Sequence, residues 1–205
     1  WREEFPSVPP PLIAVREQAL LSKVADSLPY PTLCLVTDMD KVGKDGLLKI
    51  IDESVQGGVN LVQVREKTLT KSALESLVLD VVDVIDGRAL LAVNSSFEAS
   101  QLPGVDFLHL PESESGFSPS FADPFGQSTH SVGAAKLAQQ NGAKYVVVGS
   151  VFTTQSHPDM DPVGPSSLRE CNLSLVIPFV GIGGINESNA GDIVKLGAHG
   201  VAVIS

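Results

Sequence analysis

Apolar residues fall along this chain in short continuous runs, separated by stretches with helical spacing. TLCLVT (residues 32–37), NLVQVR (60–65), LLAVN (90–94), FLHL (107–110), YVVVG (145–149), FVGIGG (179–184) and GVAVIS (200–205) read as strands, with residues 127–131 a weaker one. Between them, residues 46–55 place Leu47, Leu48, Ile50, Ile51 and Val55 on one side of a helix. Residues 71–85, 132–140 and 186–196 repeat the pattern, and Gly142 and Gly197 stand where helices usually stop. Uninterrupted apolar strands alternating with helices imply parallel pairing with both faces covered. Eight such strands predict an α/β fold of the (β/α)₈ TIM-barrel type. An open doubly wound sheet is the second choice, but TDMDKVGKDG (37–46) lacks the Gly-rich turn that such a sheet carries after its first strand. Residues 111–126 show no clear helix. No helical pattern follows the eighth strand, so the eighth helix is expected to be missing and the chain to be cut from something longer.

Residues 1–31 differ from this pattern. FPSVPPPL (5–12) carries four prolines and reads as an extended arm. Residues 15–28 then place Val15, Ala19, Leu20, Val24 and Leu28 at helical spacing before Pro29 and Pro31 stop them. The predicted organisation is an arm with its helix over 1–31 and a barrel over 32–205.

Composition narrows the function. With 205 residues, 43% hydrophobic and 19% charged, the chain can bury a core as one domain of the shorter barrel size, about 200 residues. A formal charge of −10 argues against a nucleic-acid partner. No apolar run approaches the roughly 18 residues of a membrane span. Cys34 and Cys171 form no metal-ligand cluster and read as free thiols, which suits a soluble intracellular setting, cytoplasm or organelle stroma. A homo-oligomer or an additional domain is compatible with all of this.

Four motifs carry chemistry. Gly183 and Gly184 after the seventh strand, with Ile204 and Ser205 ending the eighth, could cradle a phosphate on backbone N–H groups, as barrels often do there. In QVREK, Gln63 and Arg65 point one way along the strand and Lys67 follows at its end. That set suits an anionic substrate, or equally an ion pair with a neighbouring carboxylate. Asn94 and Ser95 after strand three, and Glu112 and Glu114 after strand four, could face a Mg²⁺, although Ser95 offers no charge, and Glu112 and Glu114 taken alone read rather as a solvated acidic loop. Thr153, Thr154 and Ser156 supply hydroxyls after strand six, and His157 a switchable charge, unless this is simply a polar loop.

The ordered set LVTD, GVNLVQVREK, LAVN, FLHL, THS, YVVVGSVFTT, VGIGGI and GVAVIS, from about Thr32 to Ser205, resembles the thiamine phosphate synthase and thiazole tautomerase superfamily. The resemblance implies a transferase of thiamine biosynthesis. It joins hydroxymethylpyrimidine diphosphate to thiazole phosphate and releases diphosphate, with Arg65 and Lys67 catalytic. Gln63, Arg65, Lys67 and Asn94 would hold the pyrimidine diphosphate, with Ser131 in the same region. Thr154 and Ser156 would bind the thiazole phosphate together with the Gly183, Gly184, Ile204 and Ser205 backbone. The implied cofactor is Mg²⁺, with Glu114 as a ligand. Ser95 stands where the family carries an aspartate ligand, His157 where it carries a lysine, and Ser150 where the tautomerase carries its histidine base. These departures support an alternative: a catalytically degenerate barrel that binds a phosphate ligand or serves as a scaffold. A different phosphate-ligand enzyme, with His157 or Glu114 as acid or base, ranks third.

Overall fold

The computed structural model describes residues 28–114, 124–154 and 161–204. Eight strands, β1 (Thr32–Val36), β2 (Leu61–Val64), β3 (Leu90–Asn94), β4 (Phe107–Leu110), β5 (Phe125–Thr129), β6 (Tyr145–Gly149), β7 (Phe179–Ile182) and β8 (Gly200–Ile204), form a closed barrel in chain order. All pairings are parallel, and closure comes from β1 against β8, with Cys34 beside Ala202. The (β/α)₈ TIM-barrel reading therefore stands. Strands β2, β4 and β6 are buried at every position, as continuous apolar runs require when helices cover one face and the barrel interior lies on the other.

Six α-helices accompany them: α1 (Met39–Gln56), α2 (Lys71–Ile85), α3 (Phe97–Ser100), α4 (Val132–Gln140), α5 (Gly164–Ser174) and α6 (Ala190–Lys195). Leu47, Ile51 and Val55 of α1 and Leu74, Leu77, Val78 and Val81 of α2 pack on the outside of β1–β3. Leu168 and Cys171 of α5 and Ile193 of α6 do the same around β6–β8. Inside the barrel, Cys34, Leu61, Ala92, Phe107, Tyr145, Val180 and Ala202 form a separate cluster, to which Leu28 adds its side chain. The rest of the predicted arm and helix, residues 1–27, lies outside the described residues.

Several boundaries differ from the sequence reading for local physical reasons. Helix α1 starts seven residues before the predicted residue 46, with Gly43 at φ 71° interrupting its helical backbone. The Glu66 carboxylate accepts the Met39 N–H and so organises that first turn from another strand. The weak fifth strand lies two residues earlier than expected, which makes Ser131 the N-cap of α4, accepting from the Ala134 N–H at 3.1 Å. Helices α3 and α5 and the 3₁₀ turn Glu112–Glu114 were not foreseen. Polar residues dominate α5, GPSSLRECNLS, so its apolar stripe is reduced to Leu168 and Cys171.

Gly126 on β5 carries the geometry of the interior. A Cβ there would lie 2.2 Å from Tyr145 Cζ, so the absent side chain lets the phenol ring cross β5. Gly126→Ala is expected to destabilise the protein by about 3 kcal/mol, since a fully buried ring cannot give way. A urea midpoint unchanged from the parent would contradict that packing.

Candidate functional site

A cavity of about 260 Å³ opens where the strands end. Gln63 and Arg65 reach it from β2, with Lys67 just beyond; Asn94 closes β3. Thr154 follows β6, Gly183 follows β7, and Ile204 ends β8 at its rim. The closed barrel thus gathers seven of the residues expected from the sequence to bind or act on substrate. Glu114 and Ser131 are exposed and lie outside the lining, and Gly184 sits beside it. Ser156, His157 and Ser205 lie outside the described residues.

The ion-pair alternative for QVREK is resolved by Glu66. Its side chain leaves the strand on the opposite side from Arg65 and accepts from the Thr37 hydroxyl and the Met39 N–H. The Thr37 hydroxyl in turn accepts the Arg65 N–H at 3.0 Å. Among the described residues, Arg65 and Lys67 enter no salt bridge; the ion pairs present, such as Lys44–Asp80 and Arg88–Asp52, lie elsewhere on the surface. Two cations therefore face the cavity beside one lining carboxylate, Glu112. That local excess of positive charge suits an anion even though the chain as a whole is acidic.

Neutral polar groups are held in fixed directions. Gln63 is buried, and its Nε2 donates to Asn94 Oδ1 at 3.3 Å. Asn94 Nδ2 donates to Ser95 Oγ at 2.8 Å. Ser95 itself adopts a left-handed backbone, φ 54°.

Four more polar residues line the cavity: Glu112, named in the sequence for Mg²⁺, Ser150, named there only as a departure from the tautomerase, and Ser128 and His130, which the sequence reading did not single out. The two-residue displacement of β5 explains two of them, because Ser128 and His130 occupy alternate positions that turn inward, whereas Ser131 turns out. The signal for His130 was the THS run, read only as part of the resemblance, and Ser128 lies just before that run. His130 Nδ1 lies 2.5 Å from the Gly149 carbonyl, and an acceptor there means that Nδ1 carries a proton. The Glu112 carboxylate accepts the His130 backbone N–H, and Gln127 Nε2 donates to the Pro111 carbonyl at 3.1 Å, so the end of β5 pins the loop after β4.

At the proposed phosphate cradle, Gly183 and Gly184 are consecutive left-handed residues, φ 97° and 64°. A Cβ on Gly183 would lie 2.7 Å from Ser150 Cα, and one on Gly184 would lie 2.7 Å from the Thr153 carbonyl. The glycines thus let the loops after β6 and β7 pack together, joined by the Phe152 N–H donating to the Gly183 carbonyl at 3.1 Å. A larger side chain at Gly183 would strike the Ser150 backbone, so its first effect is on this loop packing.

A protein-held metal is a poor fit. Among the described residues, no three His, Cys, Asp or Glu side chains converge on a metal position. Glu112 already accepts a backbone N–H, the Ser95 hydroxyl is neutral, and Asn94 Oδ1 is engaged by Gln63. A hard divalent cation needs more anionic oxygen than this set supplies. Glu114, expected as its ligand, is exposed and is not among the lining residues. No described helix is long and apolar enough to cross a membrane.

Comparison with known proteins points in one direction. Residues 33–205 match the thiamine monophosphate synthase family. The chain is 34% identical over 182 residues to a putative thiamine-phosphate synthase 2 of Aquifex aeolicus, covering 85% of this chain and 96% of that one. It is 37% identical over 177 residues to the thiamine-phosphate synthase of Shouchella clausii, covering 80% and 81%. Among solved structures, thiamine phosphate pyrophosphorylase from Pyrococcus furiosus superposes with a TM-score of 0.73 at 28% identity, covering 85% of this chain and 86% of that one.

Proposed function

From the premise that the chain belongs to the thiamine monophosphate synthase family, we propose that its cavity joins hydroxymethylpyrimidine diphosphate to thiazole phosphate. The observation that carries this reading is the pair Arg65 and Lys67, unpaired among the described residues and facing one cavity with Gly183 and Thr154. One phosphorylated substrate sits against the cations, the other against the loops after β6 and β7.

The chemistry follows from charge. The bond between the pyrimidine methylene carbon and the diphosphate oxygen breaks, and the electron pair leaves with diphosphate. Arg65 and Lys67 stabilise that growing negative charge, Arg65 through a two-pronged contact and Lys67 as a point charge. The methylene cation is then attacked by the thiazole nitrogen, forming the new C–N bond. Val36, Val147, Ile182 and Ile204 line the same cavity and keep competing water away from the cation. Gln63 and Asn94, locked to each other, orient the pyrimidine diphosphate.

The test is turnover by the whole chain with both substrates, read as diphosphate release and thiamine phosphate formation. Formation of both products supports the transferase. A second reading, a phosphate-binding barrel without turnover, is favoured by Ser95 and by the lone lining carboxylate; binding of both substrates with no product would establish it.

The donors present do not suit Mg²⁺, the cofactor the family implies. Ser95→Asp is expected to raise Mg²⁺ affinity by about tenfold, because it adds a carboxylate beside Asn94 at the end of β3. The left-handed backbone at this position favours the change, since aspartate tolerates it better than most residues. Calorimetric titration with MgCl₂ measures this, and an affinity no different from the parent's would mean that residue 95 does not face a metal position.

A further inference from the structure

The barrel interior contains polar groups that the reaction above leaves unused. His109 on β4 is fully buried, with Nδ1 3.0 Å from the Tyr145 hydroxyl and Nε2 2.9 Å from Ser128 Oγ. Ser128 in turn lines the cavity. Three side chains from adjacent strands thus run from the dry core to the cavity floor.

We propose that Tyr145, His109 and Ser128 form a one-way hydrogen-bond relay that fixes the Ser128 hydroxyl as a donor into the cavity, so that it meets an anionic oxygen of the bound ligand. Tyr145 and His109 are positioning residues acting through Ser128. The proposal rests on the diphosphate reading of this cavity for the ligand, but not for the direction of the relay.

The direction follows from counting donors and acceptors. The Tyr145 hydroxyl is buried, and His109 Nδ1 is its hydrogen-bond partner. A phenol O–H left without an acceptor in a dry core is costly, so it donates to Nδ1. Nδ1 is then the acceptor nitrogen of a neutral ring, and the proton sits on Nε2. Nε2–H donates to Ser128 Oγ. The Ser128 proton cannot then point back at the ring, and it turns to the cavity. The opposite polarity would strand the tyrosine proton in the core and leave Ser128 donating inward, offering only lone pairs to an anion.

The surroundings favour one fixed state. Burial, helped by the nearby positive charge of Arg65, pushes the His109 pKa down to about 3, so the ring stays neutral. Burial raises the Tyr145 pKa well above its ordinary value, with a smaller push from Cys34, so the phenol keeps its proton. Phe107 meets the phenol edge-on at 5.3 Å and 82°, and Gly126 clears the path across β5. Nothing along the relay takes a charge, so it orients rather than transfers a proton.

The test uses the full chain labelled with ¹⁵N-histidine. Long-range ¹H–¹⁵N correlation of the ligand-free protein at pH 7 and pH 5 is expected to show His109 as the neutral tautomer with its proton on Nε2. A proton on Nδ1, or a charged ring at pH 5, would overturn the relay. The second arm is calorimetric titration with inorganic pyrophosphate. Ser128→Ala is expected to weaken binding by about tenfold and Tyr145→Phe by about threefold to tenfold. In the double variant, Tyr145→Phe should add nothing to Ser128→Ala, because its effect passes through the serine hydroxyl. Additive losses would make Tyr145 a packing residue only and refute the proposal. Should the parent protein fail to bind pyrophosphate, the diphosphate reading falls, while the tautomer still decides the relay. Should Tyr145→Phe fail to fold, the parent tautomer and the Ser128→Ala titration decide it.

Discussion

Replacing Arg65 with methionine is expected to lower pyrophosphate affinity and turnover by about a hundredfold, while leaving the melting temperature within a few degrees. The magnitude follows from one lost charge-assisted, two-pronged contact inside a cavity, worth roughly 3 kcal/mol. The stability expectation follows from the shape of the residue. Arg65 is half-buried, and a methionine of similar stem length preserves its packing. Its backbone N–H stays tied to Thr37, and Glu66 remains occupied at Met39, so no buried carboxylate is left without a partner. Calorimetry with pyrophosphate, initial rates with both substrates and a thermal melt measure the three quantities. Unchanged affinity would remove Arg65 from the anion site. A collapse in stability would mean that the guanidinium holds the barrel mouth together.

Acid is expected to destabilise this protein well before its carboxylates are protonated, because of His109. The ordinary histidine pKa is 6.5, and burial followed by the Arg65 charge lowers it to about 3 in the folded chain. Between those values the unfolded chain binds a proton that the folded chain refuses. The stabilisation from a neutral His109 is therefore complete above pH 6.5 and is lost as the pH falls toward 3, at about 1.4 kcal/mol per unit. From pH 7 to pH 5 the loss should reach about 2 kcal/mol. Urea denaturation across that interval measures it, with His109→Gln as the reference in which this slope is absent. Parallel curves for parent and variant would show that the ring titrates normally and that the interior is wet.

The continuous apolar strands and the helix over Lys71–Ile85 were legible at once, because burial on both faces leaves a pattern of one residue type that needs no partner to be read. Helix α2 matched residue for residue, and its start is local: Thr70 accepts the Ala73 N–H at 3.3 Å. Gln63 and Arg65 were legible as a pair on one side of their strand, because alternate positions share a face, and Asn94 as a polar end to strand three. Glu112 and Glu114 were not separable in sequence, and only the 3₁₀ turn, pinned by Gln127 and His130, turns the first toward the cavity and leaves the second exposed. His109 read as one position in the apolar run FLHL, and nothing in that run names Tyr145 as its partner 36 residues later.

Continuous apolar runs determined which segments are strands and that they pair in parallel, and the two-residue period along QVREK determined which of its side chains share a face. They did so because those properties depend on a period of two and on burial, both local to a segment. The meeting of β1 with β8, the choice of Ser128 over Ser131, the turning away of Glu66 from Arg65 and the path of Tyr145 across Gly126 were decided by tertiary structure alone. Each is a contact between segments far apart in the chain, set by how closed strands stagger and by the space a missing side chain leaves. No single stretch of sequence carries that information.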